Sequence, residues 1–355
     1  MVIFICSFLF ASLLAPVVIR LYRANNWVDD PEKQPHAKKT HSVPVPRGGG
    51  LVVSIAILLS AIFLLHLDSY LLAILLGMLL LTVVGFLDDV LDIHPVVRLV
   101  VGFIAAIIVV GSGIGIAYIS NPFGPGVIHL DEPKIVFNFL GEERSLWVLA
   151  DIFAIFFIVW NMNIVNWSKG VPGQMPGFVS IALIFIGILS ASFVDDPTQF
   201  NVAQLAFAAS GAYAGLLIWN WYPQKIMPGY GAGSLAGYFL AILAILSGAK
   251  VATTLMVLGL PTADAVFTII RRIRAGKSPF WGDRGHMHHK LIDVFNWSMP
   301  KVAVFYWCCS LILGILSLYL NSLQKLITIA LVLVLVFGVL IYAKFRSIHL
   351  TQKAT

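Results

Sequence analysis

The amino-acid sequence predicts an all-α polytopic membrane protein of about eleven transmembrane helices, and three observations carry that expectation. Hydrophobic residues make up 59% of the 355 and charged residues only 11%, half or less of the charged share of an ordinary soluble domain. No single soluble core hides that much apolar surface. Apolar runs long enough to cross a bilayer recur along the whole chain. Basic residues gather on alternate connections between those runs, the pattern that sets orientation in a membrane.

The runs fall at 1–20, 49–66, 70–87, 99–119, 147–166, 177–194, 202–220, 233–248, 251–270, 303–320 and 325–343. The first is expected to be a span rather than a cleaved leader. It lacks a basic leading region and a small-residue cleavage pattern, and "APVVIRLYR" leads into a basic loop. The second follows Gly48, Gly49 and Gly50, the third ends in Asp88 and Asp89, and the fourth opens after "HPVVR". The fifth runs into "NMNIVNWSKGVPGQMPG", and the sixth begins at once behind it. The seventh ends in "WNWYPQ", the eighth opens after "PGYGAGS", and the ninth carries Pro261, expected to kink it, and Asp264. The last two are plain apolar runs, and residues 1–355 form one integral membrane domain.

With the N-terminus outside, the outer connections hold only Lys134, Arg144, Lys250 and Lys325, so 19 of the 23 Lys and Arg residues lie on the other side or at its edge. That side is expected to be cytoplasmic, which places a multi-pass protein in the cell (inner or plasma) membrane. Most outer connections are short, and the loop at 120–146 alternates as a small hairpin would. The inner loops, at about 21–48, 88–98, 161–176, 221–232 and 271–302, are rich in polar residues. A transporter would place its polar groups near the midplane on broken helices. Groups gathered at one face favour chemistry at the membrane surface. The basic balance, +6 at neutral pH, is explained by orientation and by lipid or phosphate contact, not by nucleic acid. Cys6, Cys308 and Cys309 lie in apolar runs without Cys-x-x-Cys spacing and read as packing residues.

Asp88 and Asp89 sit at the inner end of the third run. They are either solvated helix-ending residues or a pair that holds a cation and moves a proton. Asp92 and Arg98 read equally well as a surface pair. Asp264, alone inside the ninth run, is either a functional carboxylate or the partner of a nearby arginine. "GDRGHMHHK" supplies Asp283, Arg284, His286, His288 and His289. Zinc would need three or four convergent ligands, so imidazoles and cations over a phosphate-rich substrate are the better reading, beside a solvated polar loop. Lys39, His41 and Arg47, ahead of the glycines, suit a lipid phosphate. Trp167, Trp221, Phe280 and Trp281 serve either base stacking or an interfacial belt. Together these groups suit phosphoryl transfer to, or hydrolysis of, an anionic lipid at the inner face, with Mg²⁺ on the carboxylates.

The ordered blocks "KKTHSVPVPRGGG", "GFLDDVLDIHPVVRL", "NIVNWSKGVPGQ", "GYGAGSLAGY", "PTADAVFTIIRRIRAGKSPF" and "GDRGHMHHKL" resemble the polyprenyl-phosphate N-acetylhexosamine-1-phosphate transferase family, also called glycosyltransferase family 4. The last block and the paired aspartates fit its sugar-phosphate initiating branch better than its phospho-MurNAc-pentapeptide branch. The resemblance implies ten or eleven helices around a cytoplasmic-facing active-site cleft, often in a homodimer. It implies Mg²⁺-dependent transfer of a sugar 1-phosphate from a UDP-N-acetylhexosamine to polyprenyl phosphate such as undecaprenyl phosphate, with release of UMP. It implies that Asp88 and Asp89 activate the lipid phosphate and support the metal, with Asp264 as a further acidic position. It also implies that Asn163 and Asn166 contact nucleotide and that His286, His288 and His289 engage the diphosphate.

Three carboxylates that the resemblance implies are absent. Lys169 and Pro172 stand at two acidic positions of the asparagine-rich loop, and Gly231 stands at the acidic position of the "YGAGS" block. An active enzyme with a rearranged site, a catalytically impaired relative that binds lipid or nucleotide-sugar, and a membrane transporter are the readings that follow. In the first, Lys169 supplies positive charge to the diphosphate.

Overall fold

The computed structural model describes residues 1–33, 41–139, 142–193, 196–247, 250–279 and 283–354. The chain is a helix bundle. In order it comprises α1 (Val2–Ala24), β1 (Val28–Asp29), β2 (Val45–Pro46), α2 (Gly49–Leu64), α3 (Ser69–Leu91) and α4 (Pro95–Gly111). Four short strands follow: β3 (Tyr118–Ser120), β4 (Val127–His129), β5 (Lys134–Phe139) and β6 (Glu142–Trp147). Then come α5 (Val148–Trp167), α6 (Gln174–Ala191), α7 (Pro197–Asn220), α8 (Gly229–Leu246), α9 (Lys250–Val257), α10 (Gly259–Arg274), α11 (Met287–Asp293), α12 (Met299–Tyr319) and α13 (Ser322–Ala354).

Each expected run coincides with a helix or a helix pair, but their lengths differ from the expectation. Among the described residues, eight helices are long and apolar enough to cross a membrane, nine if the bent pair α9–α10 counts as one span. Helices α2 and α4 have 16 and 17 residues. At about 1.5 Å per residue they fall short of a hydrocarbon core about 30 Å thick. The apolar run expected over 99–119 is interrupted because α4 ends at Gly111, and Gly113 takes φ +104. That is a backbone state glycine adopts without a Cβ penalty. The ninth run also differs. Its two helices meet at 85° around Leu258, ahead of Pro261. Pro261 sits in the first turn of α10, where its missing N–H costs nothing. The loop at 120–146 forms two hairpins, β3 with β4 and β5 with β6.

Helix α8 is the most enclosed: the residues from Gly231 to Ala244 are all buried. Helices α2, α3, α5 and α7 pack around it. The outer surface is apolar, with Leu13, Phe63, Leu76, Phe156 and Leu335 exposed, as lipid contact requires. At one end of the bundle α2, α3 and α8 meet without side chains between them. A Cβ on Gly85 would lie 2.6 Å from the Gly231 Cα, and one on Gly50 would lie 2.9 Å from it. Small residues let helix backbones approach this closely in membranes.

Gly85→Val should therefore push α3 off α8 and destabilise the detergent-solubilised protein by about 1–3 kcal/mol or more. Gly338→Val, where a Cβ meets nothing within 4 Å, should leave the melting temperature unchanged. Equal melting temperatures for both variants would refute the close crossing.

Candidate functional site

At this glycine-lined end, the loops close over a cavity of about 660 Å³. Its walls come from the whole length of the chain. The β1–β2 segment is tied to the approach to α8: Met227 N–H donates to the Pro46 carbonyl at 2.7 Å, and Gly49 N–H donates to the Met227 carbonyl at 3.0 Å. Arg47 reaches Asp29 at 3.3 Å, and His41 Nε2 lies 3.2 Å from the Asp29 carbonyl. His41 and Arg47 both line the cavity.

Asp88 and Asp89 close α3, and the helix directs them apart, as adjacent residues on a helix must. Asp88 lines the cavity and is paired with Arg98 of α4, 3.1 Å from Oδ1 and 3.2 Å from Oδ2. Asp89 lies behind the wall and accepts from Tyr22 OH of α1 at 3.2 Å. Asp92, the partner the sequence offered to Arg98, instead sits near Arg47 at 3.9 Å.

The end of α5 brings Asn163 and Asn166 into the wall, with Lys169 one turn further on. Asn163 Nδ2 donates to the Val159 carbonyl at 2.8 Å. Asn166 is used within the chain: Nδ2 donates to Ser234 Oγ at 2.6 Å, and Oδ1 accepts from Lys169 Nζ at 2.7 Å. Lys169 Nζ also donates to the Gly229 carbonyl. Burial pushes this ammonium down to about 8, against the charges of Asp88 and Asp89, which raise it. Gly170 makes room for a ring, since a Cβ there would lie 2.1 Å from His288 Nε2.

The third wall is a relay of charged groups around α10 and α11. Asp264, buried, accepts from Met287 N–H at 2.8 Å and lies 2.9 Å from His286 Nδ1. Arg272 Nη2 lies 3.3 Å from His286 Nε2. Arginine can only donate, so Nε2 accepts and Nδ1 carries the proton given to Asp264. Arg272 also donates to Asp283 at 3.3 Å and to the Pro279 carbonyl, and its guanidinium lies 5.8 Å from the Trp167 ring centroid. Arg271 grips both Asp283 oxygens, at 2.8 and 2.9 Å. Burial would raise the Asp283 carboxyl, but hydrogen bonds from Arg271 and Gly285, with the charges of Arg271 and Arg272, hold it well below the usual range. His288 and His289 are buried in the wall, and neither Nδ1 has a hydrogen-bond partner among the described residues. Burial, followed by neighbouring positive charge, holds His288 well below the ordinary imidazole value and His289 at about 4, so both are neutral near pH 7.

The structure thus brings His41, Arg47, Asp88, Asn163, Asn166, Lys169, Asp283, His286, His288 and His289 to one cavity. Asp89 and Asp264 stand behind it, each bonded to another residue. Arg284 is turned to Asp293, at 2.7 Å, and does not line the cavity. Lys39, Phe280 and Trp281 lie outside the described residues. Trp221 packs on Trp307, ring centroids 5.1 Å apart, whereas Trp167 lines the cavity. Arg272 and Tyr22 are not among the candidate residues of the sequence, and Arg98 reads there equally well as one half of a surface pair with Asp92. A signal for Arg98 was present, since a cation in the first turn of a helix opposes the helix dipole and needs a carboxylate nearby. Tyr22 carried none.

The profile of glycosyl transferase family 4 matches residues 71–248, half of the chain. The chain belongs to glycosyl transferase family 4. It is 26% identical to a probable undecaprenyl-phosphate N-acetylglucosaminyl 1-phosphate transferase of Bacillus subtilis, over 98% of this chain and 92% of that protein. It is 28% identical to a phospho-N-acetylmuramoyl-pentapeptide-transferase of Bacillus velezensis, over 89% of this chain and 96% of the other. A decaprenyl-phosphate N-acetylglucosaminephosphotransferase of Mycobacterium leprae is 24% identical, over 77% of this chain and 72% of its own.

Against this membership, the residues do not fit Mg²⁺. No group of three or more His, Cys, Asp or Glu side chains among the described residues could hold a metal ion. Asp88 is bonded to a guanidinium, Asp89 to a phenol and Asp264 to an imidazole. An ammonium, which carries no lone pair for a metal, stands among the remaining oxygen donors.

The Asp283 pairing gives a pH signature. A depressed carboxyl contributes stability that is present above its unfolded value, about 3.9, and is lost as pH falls through the folded value. Asp283→Asn should lower stability by about 1–2 kcal/mol at neutral pH. That gap from wild type should stay constant from about pH 5 to 8 and narrow below about pH 4. A gap that opened on acidification would contradict the assignment.

Proposed function

We propose that the chain transfers an N-acetylhexosamine 1-phosphate, with GlcNAc-1-phosphate as the first candidate, from a UDP-sugar to a polyprenyl phosphate such as undecaprenyl phosphate. The reaction would run at the cytoplasmic face of the cell membrane, release UMP and start a lipid-linked cell-envelope glycan. The observation that carries the reading is the cavity itself. It joins Asp88, the asparagine loop and the histidine run at one end of an apolar bundle, in a chain of this transferase family. Relatives of both the N-acetylglucosamine and the N-acetylmuramoyl-pentapeptide kind support transfer of a phosphorylated sugar to a lipid phosphate. The preference for GlcNAc rests on the fit of the histidine block and the aspartate pair.

In this reaction an oxygen of the lipid phosphate attacks the phosphorus bonded to the sugar. The bond from that phosphorus to the uridine-linked phosphate oxygen breaks, and UMP departs with the electron pair. The side chains carry charge and orientation. Lys169, Arg98 and Arg47 face anionic groups in the cavity, where a water-poor site strengthens electrostatic stabilisation. His288 and His289, neutral and in the cavity wall, can offer a ring N–H to phosphate oxygens. Asp264, through His286, holds Arg272 and the histidine segment in place. The resemblance adds Mg²⁺ to this reaction, but no step here is assigned to it, because the donor set does not fit.

Purified protein given polyprenyl phosphate and a panel of UDP-sugars, with and without Mg²⁺, should release UMP only when lipid and nucleotide-sugar are both present. UMP formed without the lipid would make the protein a hydrolase. Nucleotide binding without turnover across the panel would make it a binding relative. Accumulation of solute in sealed vesicles, without a lipid-linked product, would make it a transporter.

A further inference from the structure

Lys169 is surrounded as a cation site is surrounded. Its Nζ donates to the Asn166 side-chain oxygen at 2.7 Å and to the Gly229 backbone carbonyl. Its charge also interacts with the carboxylates of Asp88 and Asp89. These oxygens come from α3, from α5 and from the entry to α8. Carboxylate, amide and backbone carbonyl oxygens are the donors that hard divalent cations take. Here the amide and carbonyl oxygens meet an ammonium that belongs to the chain, and the two carboxylates act on it at longer range.

Two further observations oppose a divalent ion in the same place. The first is charge. Asp88 is paired with Arg98, and Lys169 is bonded to Gly229, the residue packed against Asp89, so cations already stand near both carboxylates. A doubly charged ion would meet the repulsion of both cations. The second is packing. Gly231 stands at the position where the resemblance puts an acidic side chain. A Cβ there would lie 3.2 Å from the Gly50 Cα and 3.5 Å from the Gly85 Cα. The close crossing of three backbones therefore leaves little room for a third carboxylate there.

We infer that the Lys169 ammonium is the resident cation of this cavity, and that the cavity binds a nucleoside diphosphate without a divalent metal. The inference rests on reading the cavity as a nucleotide-sugar site. An ammonium has three protons to donate. Two are directed to Asn166 and Gly229, which leaves the third for a phosphate oxygen. The lysine neutralises charge but does not impose the octahedral geometry of Mg²⁺. Orientation of the diphosphate then falls to the fixed donors around it, including His288 and His289.

The test uses full-length protein in detergent, stripped of metals, with Mn²⁺ and UDP as probes. Mn²⁺ uptake is read by electron paramagnetic resonance and UDP affinity by calorimetry. Wild type should leave the free Mn²⁺ signal unchanged and bind UDP with the same affinity in EDTA and in excess Mg²⁺. Lys169→Gln, which keeps a hydrogen-bonding side chain but removes the charge, should weaken UDP binding in EDTA about tenfold or more, a loss of roughly 1.4 kcal/mol. Lys169→Asp should create Mn²⁺ uptake and make UDP binding depend on a divalent ion. The inference is overturned if wild type takes up one Mn²⁺ in a manner abolished by Asp88→Asn. It is equally overturned if wild type loses UDP in EDTA, or if Lys169→Gln binds UDP as wild type does. UDP that bound to none of these proteins under any condition would sink the nucleotide reading of the cavity. The Mn²⁺ comparison of wild type with Lys169→Asp would still decide which cation the cavity was built for.

Discussion

Charge carried to the end of an apolar bundle has to be balanced where it stands, because neither lipid nor packed side chains can solvate it. That constraint organises this molecule around its cavity. Asp88 is answered by Arg98 across the α3–α4 junction. Asp264 is answered by His286, and through it by Arg272, which also meets Asp283. Lys169 ties the end of α5 to the entry to α8. These pairings tie helix ends to the loops beside them, so the charges that would serve a reaction also fasten the loops into one wall.

The second constraint is steric, and it meets the first at Gly231. Helices α2, α3 and α8 touch through glycines, and that contact sets the floor beneath Asp88, Asp89 and Lys169. Gly231 permits this backbone contact, and Lys169 places a positive charge among the oxygens of the site.

Much of the fold was legible from apolar runs, because a bilayer demands continuous stretches of hydrophobic side chains. The ends of those runs were less so. Apolar residues continue past Gly111, but the helix does not, since Gly113 takes a left-handed conformation there. The run at 251–270 contains a proline that invites a kink, yet the 85° bend lies at Leu258. Hydropathy reports where a chain is comfortable, not where its hydrogen bonds stop. In the site, residue types with a chemical signature were visible: the paired aspartates, the lone carboxylate in an apolar run and the clustered histidines. Arg272 and Tyr22 were not, because their importance lies only in what they touch.

The sequence by itself determined that this is a polytopic membrane protein with its polar chemistry at one face. It also determined the family to which its motifs point, and which acidic positions that family resemblance would miss. Hydropathy, charge bias and motif order are local properties that can be read one segment at a time. Only the tertiary structure decided the partners: that Asp264 faces an imidazole rather than a guanidinium, that Asn166 is occupied within the chain, and that Lys169 lies among oxygens. Those choices depend on distances between helices that are far apart in the chain, and the packing of α8 against its neighbours sets those distances.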